Sequence, residues 1–486
     1  MSSPLAKNTL YLTFASVAQK AIAFVYFAAI ARFFGTEDTG AYFIALAVVT
    51  VVMVLDDLGL TSVLVRETAR NKSEALVWIR SVLGVKIITM PLTIVVAFLL
   101  PWLLGYSAEV NTLVHIAVLV MLADTLSLSF YGVLRGMQTL KYESLGIFVG
   151  QSLTAIVGVV LMITGQATLS TLIFALIVGS TWNMVFSVVQ VVRKLGPTAL
   201  LPTYELGWKP LKMAFAFFLA AAFVKIYSYV DSFTLQAVMG EHAVGEYAVA
   251  YKFTYAFQFL PLAFVAALYP TMSAQSHEPA KLKETILNAF WYMALMGFPL
   301  VFGIFALAPE LIQTFYGADY TGSVLPLQIL IFVLLFIFLD FPIGSLLNAT
   351  NRQKTKTAIM GATMVVNIVS NLLLIPRVGV VGASIAGIFS FVFMFGAGWF
   401  LMQSSVRITM GELVQRIGGI ALASVIMAAL VILVKPFVYL AIAVPFGAII
   451  FVVCAVLFKA IRAEHFHSAK RLLSRTVYVE ESDRNA

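Results

Sequence analysis

A chain of 486 residues that is 61% apolar and only 11% charged is not an ordinary soluble protein; such proteins sit at about 45–50% apolar and about 25% charged. The formal net charge is +8, but the positions of the basic residues, given below, argue against a nucleic-acid partner. The lone cysteine, Cys454, excludes an intrachain disulfide and a thiolate metal site.

Apolar runs of roughly 20 residues cross hydrocarbon as helices, which satisfy their own backbone hydrogen bonds. The alternation expected of a membrane barrel is absent. The first run, 10–34, carries Lys20 in its middle and no small-residue cleavage site after it, so it reads as a span and not as a signal. Further spans are expected at 41–65, 80–104, 112–134, 143–164, 168–192, 211–239, 243–271, 286–308, 323–348, 356–376, 379–402, 412–434 and 437–459. The turns inside 143–192 and inside 412–459 are short, and fusing spans there gives twelve instead of about fourteen. The expected fold class is an all-α integral membrane protein.

Basic residues fix the expected orientation. With the N-terminus in the cytoplasm, the inner loops collect most of the Lys and Arg, among them Arg66, Arg70, Arg135, Lys141, Arg193, Lys194, Arg352 and Lys354. The outer side keeps Arg32, Arg377 and Lys435, and its turns carry acids such as Glu37, Asp38, Glu241 and Asp319. Both termini are then cytoplasmic and the protein is multi-pass in the cytoplasmic membrane. A basic tail from about 460 is expected to lie on the anionic inner leaflet.

The chain repeats itself. Residues 35-GTEDTGAYFIA-45 match 240-GEHAVGEYAVA-250, sharing G-x4-G-x-Y-x2-A at an offset of 205 (240 − 35). A weaker echo pairs 134-LRGMQTLK-141 with 347-LNATNRQK-354. An even number of spans separates equivalent points, so both halves point the same way, as in transporters built from parallel repeats. The expected organisation is a six-helix lobe over 1–206, a second over 207–403, and two extra helices with the basic tail over 404–486.

Several segments, 31-ARFFGTEDTGAYFIAL-46, 57-DLGLTSVLVRETAR-70, 131-YGVLRGMQTLKY-142, 245-GEYAVAYKF-253 and 376-PRVGVVGASIAG-387, resemble the oligosaccharide-lipid flippases of surface-polysaccharide synthesis. These belong to the multidrug/oligosaccharidyl-lipid/polysaccharide exporter superfamily. The resemblance implies a two-lobe, V-shaped transporter working by alternating access on a polyprenyl-diphosphate oligosaccharide. It also implies a setting among membrane lipids, polysaccharide polymerase and glycosyltransferases. It brings no fixed catalytic motif.

Charges inside spans are the leading candidates for chemistry, because each costs roughly 2.5–3.5 kcal/mol at a helix centre on insertion scales. Lys20 and Lys225 lie about 15 and 21 Å deep at 1.5 Å per residue, and their separation is again 205 (225 − 20). Each sits on a polar stripe: Thr9, Thr13, Ser16 and Lys20 with Gln19 alongside, and Lys225, Tyr229, Ser232 and Gln236 with Ser228 alongside. The eighth span adds Tyr247, Tyr251, Thr254, Tyr255 and Gln258, with Lys252 on a neighbouring face. The expected substrate-binding set is therefore Lys20, Lys225 and Lys252 for a diphosphate, with Tyr229, Tyr251, Tyr255, Gln19 and Gln258 for sugars. Lys86 is shallower and is expected to snorkel.

Asp231, Asp124 and Asp340 are candidates for sensing a coupling ion, and each is also able to pair with a lysine. Asp56 and Asp57 read as structural, and His115 as packing. No P-loop, H-E-x-x-H or nucleophile elbow is present, so the chain reads as a transporter without cofactor or metal rather than an enzyme. A cation antiporter of the same superfamily is the alternative. A glycan polymerase fits poorly, because no outer loop exceeds about fifteen residues, well below what such an active site needs.

Overall fold

The computed structural model describes residues 4–461, with the side chains of 4–16, 262, 263 and 265–267 outside the description. All long elements in it are helices: α1 (Pro4–Phe34), α2 (Thr36–Asp57), α3 (Leu60–Arg70), α4 (Ala75–Leu103), α5 (Ala108–Gly136), α6 (Leu140–Ile163), α7 (Leu169–Leu195), α8 (Lys209–Met239), α9 (Glu241–Ala256), α10 (Leu262–Ala274), α11 (Pro279–Phe315), α12 (Val324–Ala349), α13 (Gln353–Met402), α14 (Met410–Val434) and α15 (Leu440–Leu457). Thr9, Thr13 and Ser16 of the first polar stripe, and the basic tail beyond 461, lie outside the described side chains and residues respectively.

Twelve helical stretches are long and apolar enough to cross a membrane. Their continuity differs from the expected spans at three places, one of them the break of 41–65 at Leu58 and Gly59. The 50-residue α13 holds spans eleven and twelve together, leaving helical geometry only at Val378 and Gly379, just after Pro376. It doubles back there. Asn367 Nδ2 donates to Ser390 Oγ at 2.9 Å, and a methyl on Gly382 would lie 2.6 Å from the Leu374 carbonyl oxygen. The expected span 243–271 is instead broken: α9 stops at Ala256, and α10 starts at Leu262, after Pro261. The two short turns both hold. Gly165 at φ 70° separates α6 from α7, and Lys435–Phe437 separates α14 from α15.

Helix packing recurs along the chain. α1 packs on α6 as α8 packs on α13, α2 on α5 as α9 on α12, and α5 on α7 as α12 on α13. Between these sets, α2 runs along α9 and α8. The repeated G-x4-G motifs make this crossing. Gly35 and Gly240, both at φ 81°, form the tight turns into α2 and α9. Gly40 then meets the Glu241 carbonyl and Gly245 meets the Thr36 carbonyl, each so closely that a methyl group would lie 1.9 Å from the oxygen. Around the crossing, the Tyr320 hydroxyl bonds the Ala31 carbonyl at 3.0 Å and Thr39 Oγ1 at 2.8 Å. Ser107 Oγ donates to Glu241 at 2.6 Å. This end of the helix assembly is laced shut.

At the opposite end, α2 breaks at Leu58 and Gly59, both left-handed. Asp57 holds the break: its carboxylate accepts from the Gly59 and Thr61 N–H groups and from the Thr61 hydroxyl. Asp56 is equally structural. It is buried against Lys86 at 2.5 Å, with Thr89 and Thr125 also donating to it and Lys86 reaching Thr125 at 2.8 Å. Lys86 therefore does not snorkel to the surface; at 1% exposure it is an inward ion-pair partner joining α4, α2 and α5. The pairing wins because a buried carboxylate three helices deep leaves the lysine a counter-ion closer than any headgroup.

The connector between α7 and α8 is fastened to α4. Arg80 Nε donates to the Leu201 carbonyl at 2.8 Å, and the Thr203 N–H donates to the Arg80 carbonyl at 3.0 Å. α14 and α15 pack on α11, flanked by the ion pairs Lys283–Glu412 at 2.6 Å and Lys435–Glu310 at 3.1 Å. His115 stacks on Phe98 with centroids 4.2 Å apart, the packing role expected of it.

Candidate functional site

α1, α8 and α9 enclose a cavity of about 330 Å³. It gathers Lys20, Lys225 and Lys252 with Tyr229, Tyr251, Tyr255 and Gln258, seven of the eight residues expected to contact cargo. These positions are brought together by the repeat: α1 and α8 are equivalent first helices, and the α2–α9 crossing sets α9 between them.

Among the described residues, none of the three ammonium groups forms an ion pair or a hydrogen bond to protein. Aromatic faces stand in for counter-ions. Lys252 Nζ lies 4.9 Å from the centroid of Phe27 on α1 and 5.5 Å from that of Phe43 on α2. Lys225 Nζ lies 5.9 Å from the Tyr229 ring. Cation–π attraction of this kind reaches about 2 kcal/mol when desolvated, well short of what a buried carboxylate supplies, so the positive charge stays available to an anion. Lys20 is exposed to the cavity side of α1.

The tyrosines form one aromatic wall. Tyr251 and Tyr255 have centroids 4.3 Å apart, Tyr229 and Tyr251 6.0 Å, and Phe43 closes on Tyr251 at 5.6 Å. Such a wall offers flat apolar faces with hydroxyl edges, suited to sugar rings.

The remaining predicted residues sit elsewhere. Gln19 turns away from Lys20 into a cavity of about 300 Å³ bounded by α1, α2, α5, α6 and α7, where it joins Asp124, Gln151, Asn183 and the Arg135–Glu143 ion pair. Asp340 lines a third cavity of about 290 Å³, with Lys356 and Tyr269. Asp231 is buried and pairs with no lysine among the described residues. It accepts from the Tyr247 hydroxyl and from the Ser232 N–H, the latter at 2.7 Å. Sequence reasoning passed over Tyr227, Phe24 and Phe391 as cavity walls and Phe27 and Phe43 as the cage of Lys252. A phenylalanine in an apolar span carries no signal that separates lipid contact from ammonium contact.

The comparisons agree with this architecture. The family model described as "Polysaccharide biosynthesis protein" matches residues 5–276, and one described as MatE matches 216–373. "Probable low-salt glycan biosynthesis flippase Agl15" of Haloferax volcanii is 22% identical over 477 residues, covering 96% of this chain and 99% of that protein. Among solved structures, "Lipid II flippase MurJ, inward closed conformation" superposes with a TM-score of 0.73 at 17% identity, over 93% of this chain and 98% of that one. An inward-facing multidrug resistance MATE family transporter of the MOP superfamily gives 0.60 at 15% identity, over 82% and 95%. The structural likenesses speak to fold, and they describe the same all-helical transporter architecture. With more than half its length matched by the family model, the chain belongs to the polysaccharide biosynthesis protein family.

Proposed function

We propose that the protein is a flippase that carries a polyprenyl-diphosphate-linked oligosaccharide from the inner to the outer leaflet for surface-polysaccharide synthesis. The single observation that carries this reading is the gathering of Lys20, Lys225 and Lys252 in one cavity with no carboxylate partner among the described residues. A diphosphate headgroup bears roughly two negative charges, and lysine binds phosphate as a point charge. Tyr229, Tyr251, Tyr255 and Gln258 then meet the sugars, while the polyprenyl tail stays in lipid.

The working unit is a pair of six-helix lobes, 1–206 and 207–403, alternating about the cavity, with the last two helices as an appendage. Both termini lie in the cytoplasm. No bond is made or broken; a potential of 100 mV acting on a dianion contributes about 4.6 kcal/mol in the outward direction. Asp124, set in its own polar cavity, is the favoured site for a coupling ion. Glycosyltransferases and a polysaccharide polymerase supply and consume the cargo.

A cation antiporter is the second reading, favoured by the MatE match over 216–373. Three uncompensated ammonium groups repel a cationic drug, which ranks this reading lower. The deciding experiment is export of lipid-linked glycan in cells carrying Lys20→Ala and Lys225→Ala together. Export is lost while protein level is kept; full export in the double variant would remove the assignment, and drug efflux with no glycan phenotype would favour the antiporter.

A further inference from the structure

The 290 Å³ cavity that holds Asp340 is not isolated from the lysine cavity: Tyr227, Gln258 and Phe391 line both. Tyr227 and Phe391 meet edge to face with centroids 5.8 Å apart and form the partition. Beyond it the walls are Tyr269, Asp340, Ser345, Asn348 and Lys356. The Asn183 cavity, by contrast, shares no residue with the lysine cavity.

The lining is dense in groups with unspent hydrogen-bonding capacity. Among the described residues, the side chains of Asp340, Ser345, Asn348, Gln258, Tyr227 and Tyr269 make no hydrogen bond to protein. An ionised carboxylate is acceptor-only with two oxygens, which matches two neighbouring hydroxyls on one ring. The amides donate and accept, Lys356 donates, and the tyrosine faces take the apolar C–H side of a pyranose. The volume lies at the bottom of the range for small-molecule sites, about 300 Å³, so it holds one or two sugar rings and not a whole oligosaccharide.

We infer that this side pocket is the subsite for the sugar bonded directly to the diphosphate, with Asp340 as its principal hydroxyl acceptor. The inference rests on the flippase reading. If the diphosphate occupies the lysine cavity, its first sugar lies one bond away, and the pocket that shares walls with that cavity receives it. The pocket then sets which first sugar is accepted, while the tyrosine wall tolerates variation further along the chain. On this assignment Asp340 serves cargo selection and not ion coupling.

The test is equilibrium binding to the purified full-length protein in lipid nanodiscs. The probes are farnesyl diphosphate alone and farnesyl diphosphate carrying one hexose or one N-acetylhexosamine. In the wild type at least one sugar-bearing probe binds more tightly than bare farnesyl diphosphate. Asp340→Asn weakens that probe by about tenfold, the scale of a charge-assisted bond pair, and changes the bare probe less than about twofold. Asn348→Ala, at a second wall, shifts the same preference with thermal stability monitored for both variants. Equal loss for both probes, no loss for either, or a loss confined to sodium or pH dependence with sugar preference intact overturns the subsite. Equal wild-type affinity for bare and sugar-bearing probes also overturns the subsite while leaving the flippase reading standing. A wild type that binds no lipid diphosphate overturns both.

Discussion

Gly40 on α2 and Glu241 on α9 are in backbone contact, so close that a methyl group on the glycine would lie 1.9 Å from the glutamate carbonyl oxygen. The reciprocal contact of Gly245 with Thr36 has the same spacing. The two copies of one sequence motif are thus the two sides of one crossing. Neither backbone oxygen can swing aside as a side chain would. Gly40→Ala and Gly245→Ala are each expected to destabilise the closed crossing by at least about 1–3 kcal/mol. Melting of the purified protein, with labelling of a cysteine introduced beside Gly35 or Gly240 in a Cys454→Ser background, measures it. Unchanged melting and labelling in both variants would show that the crossing is looser than described.

The buried pair Lys86–Asp56 makes a different prediction. Removing one partner strands the other charge among α2, α4 and α5. Lys86→Met alone is expected to cost about 3–5 kcal/mol. Lys86→Met with Asp56→Asn should recover much of that, because the neutral amide still accepts from one threonine through its oxygen and donates through its NH2 to the hydroxyl of the other. Thermal unfolding of the two variants side by side decides the point. A double variant no better than the single one would mean that the pair is valued for geometry and not charge.

Lys252 and its cage should respond in opposite directions. On the proposed assignment, the rings of Phe27 and Phe43 compete with cargo for the same ammonium. Phe27→Leu with Phe43→Leu removes roughly 1–2 kcal/mol of that competition, so affinity for farnesyl diphosphate rises, by up to about thirtyfold. Lys252→Met lowers it, and Lys252→Arg preserves it. Titration in nanodiscs reads all three. A leucine variant that binds more weakly than wild type would make the rings part of the anion site and not its competitors.

Much of the architecture is legible in the sequence, and the reasons are specific. Lys20 and Lys225 stand out because a charge deep in an apolar run is costly, and the 205-residue offset ties them together. Gly165 and Lys435–Phe437 mark true turns because glycine and proline interrupt apolar runs visibly. The break between Ala256 and Leu262 has Pro261 as its mark, but Phe257, Phe259 and Leu260 around it let the run read as one continuous span. Lys86 looked shallow enough to snorkel because its partner is 30 residues away on another helix. Gln19 neighbours Lys20 in sequence yet faces a different cavity, because successive residues of a helix point about 100° apart.

The fastening of the connector has a mechanical consequence. With Leu201 and Thr203 tied to Arg80, only residues 204–208 remain to uncoil before α8 begins, and the bonds from the Gly207 N–H to the Tyr204 carbonyl and from the Lys209 N–H to the Leu206 carbonyl now hold them in turns. Five residues at full stretch reach about 18 Å. A tether that short permits the helices before and after it to tilt about their shared edge and forbids them to drift apart along the membrane plane. In the proposed alternation of the lobes, a rigid insertion there would stall the swing, whereas a floppy one would leave it running.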